Sequence, residues 1–90
     1  MKDILIEGHR LLTTDEIADA VIDYARVLHL SQHADVVEFP TLLDGEISHC
    51  SLLLTPVTSV AVVDADVLPP TLPGAGDAHA EIQRRADALR

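Results

Sequence analysis

Asp44-Gly45 stands between two nine-residue runs of alternating character, residues 35–43 and 46–54, and no other feature limits the fold of this chain as much. A two-residue hairpin turn of type I′ needs positive φ at both central positions. Asp and Gly tolerate this, and such a turn twists in the same sense as its flanking strands. Register follows from the turn. Leu43 opposes Glu46, Thr41 opposes Ser48, Phe39 opposes Cys50 and Val37 opposes Leu52 on one face, which Leu54 continues. That face is the more apolar and is expected to meet the core. The other face pairs Leu42 with Ile47, Pro40 with His49, Glu38 with Ser51 and Val36 with Leu53. Pro40 has no N–H for a ladder, so the first strand of the hairpin is expected to be an edge at least locally.

A third run, Ser59 to Ala65, follows Thr55-Pro56-Val57-Thr58 and is nearly continuous in Val and Ala. The three runs together predict an antiparallel meander. A strand without alternation also predicts that both faces of the sheet are covered. Upstream, Asp3-Ile4-Leu5-Ile6-Glu7 reads as a strand closed by Gly8. Thr13 with Glu16 three residues later forms a capping box, and Leu12 can staple against Ile17. Ile17, Val21, Tyr24, Ala25 and Leu28 then recur at helical spacing, which predicts one amphipathic helix from about Thr14 to Leu30.

Pro69-Pro70 through Pro73-Gly74-Ala75-Gly76 reads as a linker, and Asp77 as the cap of a last short helix with Ala78, Ile82, Ala86 and Leu89 on one stripe. The organisation expected is thus an α+β domain over residues 1–66, a linker over 67–76 and a helical arm over 77–90. The fold class is a four-stranded sheet in the order β-α-β-β-β with one long helix on one face. One helix cannot cover both faces, so the arm or a second copy of the chain is expected against the other. Many unrelated small α+β domains share this element order.

The 90 residues include one Phe, one Tyr and no Trp, so the core must be built from aliphatic side chains, and a domain of this size is marginal without added contacts. The single Cys excludes an internal disulfide. With no signal-like apolar segment at the start, this points to a cytoplasmic chain. No apolar run reaches membrane-spanning length. Six basic against fifteen acidic residues give a net charge of −9, which repels phosphate backbones and argues against nucleic acid. Residues 77–90 are balanced, with Arg84, Arg85 and Arg90 against Asp77, Glu81 and Asp87.

Few residues invite a chemical reading. Glu38, His49 and Ser51 share the face away from the core, where a carboxylate, an imidazole and a hydroxyl can meet. A flat sheet face lacks an oxyanion hole, however, and a polar patch is the simpler account. His29 and His33, four apart, can be directed at one metal ion, but no local motif supplies a third ligand. His49 and Cys50 are adjacent on a strand and point to opposite faces, so Cys50 reads as a small buried hydrophobe. Gly8-His9-Arg10 has one glycine and no following Lys-Ser or Lys-Thr, unlike a phosphate loop. No cofactor fingerprint is present. The function expected is therefore a non-enzymatic oligomerisation or protein-interaction module, most simply a homodimer. The alternative is a small-ligand protein or enzyme using Glu38, His49 and Ser51.

Overall fold

The computed structural model describes residues 1–67 and 71–90. Its elements are β1 (Lys2–Ile6), β2 (His9–Thr13), α1 (Asp15–Ser31), β3 (Asp35–Leu43), β4 (Glu46–Leu54), β5 (Val60–Asp64) and α2 (Ala75–Leu89). The strands form one antiparallel sheet in the order β4-β3-β2-β1-β5. The α+β class holds, with five strands in place of the expected four.

The additional strand is β2, which returns from β1 through Glu7-Gly8 with Ile4 opposite Leu11 and Lys2 opposite Thr13. Glu7 at φ 49° and Gly8 at φ 79° repeat the positive-φ pair of Asp44 (50°) and Gly45 (81°) at the other hairpin. Because Thr13 ends β2, it does not cap the helix. Thr14 caps instead, its hydroxyl oxygen accepting from the Ile17 N–H at 3.2 Å. Asp15 and Glu16 occupy the first turn, where the helix dipole favours anions. α1 ends at Gln32, which takes the left-handed conformation and returns its N–H to the Leu28 carbonyl.

The β3–β4 hairpin has the register that its turn dictates, pair for pair from Leu43↔Glu46 to Asp35↔Leu54. The meander stops there. β5 pairs with β1 at the opposite edge, Ile4 facing Val62 and Ile6 facing Val60. β4 and β5 run in the same sense, yet only residues 55–59 connect them. Crossing four strand spacings of ~4.8 Å and returning the length of a strand exceeds the roughly 20 Å that six residue steps reach, so a flat sheet is excluded. The sheet curls around α1. The bend falls between β2 and β3, which share only the pair Leu12↔Leu42. The Nδ1–H of His29 donates to the Pro56 carbonyl at 2.6 Å and fastens the short connection to the end of α1.

Both helices lie on the concave face. Ile82 and Ala86 of α2 join Ile17, Val21 and Leu28 of α1 and Val37, Phe39 and Leu54 of the hairpin in a single core. Each large aliphatic side chain so buried contributes about 1.5–3 kcal/mol. The arm thus packs beside α1 rather than on the second face, and among the described residues that face carries no helix. α2 also starts at Ala75, two residues before Asp77, with Gly74 as its N-cap. Residues 68–70 of the expected linker lie outside the described residues. No described helix is long and apolar enough to cross a membrane.

Candidate functional site

β3 reaches beyond the end of β2, and the resulting unpaired stretch of its backbone organises the surroundings of Glu38. The Pro40 carbonyl accepts from the Thr13 hydroxyl at 2.9 Å, and the Thr41 hydroxyl donates to the Leu12 carbonyl at 2.6 Å. Two side chains therefore do what the ladder cannot do beside a proline. Further along the same edge, Arg85 of α2 donates to the Val36 carbonyl at 2.9 Å and to Asp35 at 3.1 Å. Between α2 and the hairpin lies an open cavity of about 450 Å³, with Phe39, Pro40, Ile47 and Ile82 as apolar lining and Glu38, His49, Asp77, Glu81 and Arg85 as polar lining.

Hairpin register brings Glu38, His49 and Ser51 together on the convex face. The Ser51 hydroxyl donates to Glu38 Oε1 at 3.3 Å, and His49 Nε2 lies 3.8 Å from the same oxygen. Both polar groups turn toward the carboxylate, which sits between them. A Ser-His-Asp relay needs the imidazole in the middle, taking the hydroxyl proton on one nitrogen while a carboxylate holds the other. Here the order is hydroxyl, carboxylate, imidazole. The His49 and Glu38 side chains are 67% and 63% exposed, so solvent screens their attraction. Cys50 lies on the opposite face, half-buried, and its burial pushes the thiol pKa up, away from the reactive thiolate.

His33 lies past the left-handed Gln32, and its own N–H donates to the Leu28 carbonyl at 3.1 Å, so it has left the helical path on which His29 sits. The nitrogen His29 gives to Pro56 is moreover occupied. Among the described residues no group of three or more His, Cys, Asp or Glu side chains is placed to hold a metal ion. Three of the four acids of α1 are met by cations: Asp15 by the N-terminal amine at 3.2 Å, Asp19 by Lys2 at 2.9 Å, and Asp23 by Arg26 at 3.2 Å and by Arg90 of the arm.

One ion pair had no signal in the sequence, because β2 had none. Asp3 and Arg10 lie on the convex face of β1 and β2, their side chains 2.9 Å apart, with Asp3 only 10% exposed. Asp3 interrupts a row of apolar residues that runs across the sheet through Val63, Leu12, Leu42 and Ile47, and Arg10 reaches it from the neighbouring row, where it faces Leu5. No family model matches this chain, and no curated protein or solved structure is significantly similar to it.

Proposed function

We propose that this chain is a non-enzymatic, self-associating interaction module of the cytoplasm, and that it binds a second copy of itself through the β3–β4 hairpin. The observation that carries this reading is the hairpin's convex side, where Val36, Ile47 and Leu53 are exposed by 45, 53 and 58%. Isolated apolar side chains at a surface are ordinary, but a group of them on one pair of strands is a feature of interaction surfaces. Local charge does not oppose a like partner there. The chain carries −9, yet among the described strand residues the only acids on the convex face are Asp3, paired with Arg10, and Glu38, beside His49. Two copies meeting at this hairpin bring few like charges together.

Sedimentation of the full chain at micromolar concentration is expected to give a dimer. A monomer at all concentrations, with no protein retained in a pull-down, overturns the reading.

A second reading, a small-ligand protein or enzyme that uses Glu38, His49 and Ser51, is supported by the cavity between α2 and the hairpin, which Glu38 and His49 line and Ser51 does not. It requires His49→Ala to abolish an activity while leaving the melting temperature unchanged.

A further inference from the structure

We infer that two copies of this chain join edge to edge through β4, about a two-fold axis at Cys50, to make one ten-stranded sheet. The inference rests on the self-association proposed above and adds its geometry.

β4 is an edge strand, and all nine of its residues pair with β3 in one unbroken register, so no bulge twists its edge away. Nor does it contain a Pro, Lys or Arg. The devices that usually stop a sheet edge from recruiting another strand are absent, apart from Glu46 at one end.

Which backbone groups face outward follows from β3. The Pro40 carbonyl points toward β2, where Thr13 donates to it, so the even-numbered residues of β3 face β2 and the odd-numbered ones bond to β4. Their partners on β4 are Glu46, Ser48, Cys50, Leu52 and Leu54. Ile47, His49, Ser51 and Leu53 therefore direct their N–H and C=O groups outward, and among the described residues none of these groups has a backbone partner.

A second β4 laid antiparallel about Cys50 satisfies all of them. Ile47 then faces Leu53 of the second copy, His49 faces Ser51, and the converse pairs follow by symmetry. Across the joined sheet, one row reads Leu42, Ile47, then Leu53 and Val36 of the second copy, and is apolar throughout. The row between runs Glu38, Ser51, then His49 and Pro40 of the second copy, which gives each Ser51 an imidazole neighbour in addition to its carboxylate. Other registers lose this match. An axis at His49 sets Ile47 against Ser51 and Leu53 against Gly45, and an axis at Ser51 sets Leu53 against His49 and Ile47 against Thr55. Glu46, the only charged residue of β4, meets Leu54 of the second copy, so no acid faces an acid across the seam.

The register makes a test available because Cys50 is the only cysteine. At the axis Cys50 faces its own copy in a non-hydrogen-bonded pair, with Cα atoms about 4.5 Å apart, within disulfide range. Diamide, a two-electron thiol oxidant, takes two electrons and two protons from the two thiols and leaves one disulfide. The inference requires that the full chain sediment as a dimer and that diamide convert it to a covalent dimer with first-order kinetics. It also requires that Leu53→Lys, at an exposed position, weaken dimerisation at least about tenfold and slow crosslinking in parallel. A dimer whose Cys50 stays reduced, or crosslinks equally fast in Leu53→Lys, overturns the edge geometry while leaving self-association standing. A monomer overturns both.

Discussion

Arg85 of α2 donates through Nη1 to the carbonyl oxygen of Val36 at 2.9 Å, so a residue of the arm closes the stretch of β3 that β2 leaves unpaired. The same guanidinium reaches Asp35 and Glu81, tying sheet and helix through one side chain. Replacing Arg85 by Met keeps the stem over the core and removes only these bonds. The expected loss is about 1 kcal/mol, below the usual range for charged hydrogen bonds because the side chain is 37% exposed, read as a lower urea midpoint at unchanged slope.

Acid should loosen the arm before it unfolds the hairpin. Arg90 holds the Asp23 carboxyl below its ordinary range, and Arg84 and then Arg85 bring Glu81 down to about 2. Asp35 is lowered as well: burial alone raises it, but the Tyr24 hydroxyl, the Val36 N–H and Arg85 together outweigh burial. Each group binds fewer protons folded than unfolded across the intervening window. Their contribution is complete above the unfolded carboxylate values of about 4 and is lost as pH falls toward 2. Amide exchange in α2 is expected to accelerate over that interval while the β3–β4 amides remain protected. Simultaneous loss of both would contradict the prediction.

Tyr24 gives the opposite limb. Burial first, and then its hydroxyl bond to Asp35 at 2.6 Å, push its pKa up to about 12. The folded chain therefore holds this proton where the unfolded chain releases it near 10, and the stability it contributes is lost as pH rises between the two. As this is the only tyrosine, the ultraviolet absorbance of tyrosinate reports it directly. Ionisation of the native protein with a midpoint near 10 would refute the buried bond.

Glu7 occupies the left-handed region at φ 49°, which costs a residue with a full side chain about 1 kcal/mol. Asn tolerates that region, so Glu7→Asn is expected to raise stability by about 0.5–1 kcal/mol, seen as a higher melting temperature. Gly45→Ala should do the reverse at φ 81°. Nothing lies within 4 Å of the added methyl, so its cost is conformational alone, about 1–2 kcal/mol.

The comparison of Asp44-Gly45 with Glu7-Gly8 separates what was legible in the sequence from what was not. The two turns share their geometry. Asp is a frequent occupant of the left-handed region and announces the first, whereas Glu is not, so β2 remained hidden behind His9 and Arg10. A capping signal at Thr13-Thr14 was legible to within one residue, because both carry the same hydroxyl. Choosing between them required knowing that Thr13 is committed to Pro40 across the sheet. Likewise Glu38, His49 and Ser51 were brought together by register alone, but that the carboxylate stands between the other two is a matter of side-chain rotamers.

By itself the sequence determined the features that turn chemistry and periodicity encode over a few residues: the hairpin, its register, the amphipathic face of α1 and the stripe of α2. Tertiary structure decided where those pieces go. β5 joins β1 because the curl brings the end of β4 near the end of β1. α2 packs beside α1 because Ile82 and Ala86 complete a core that α1 alone leaves open. Both are contacts between segments distant along the chain, set by how much apolar surface remains after local structure has formed, and no short stretch of sequence carries that information.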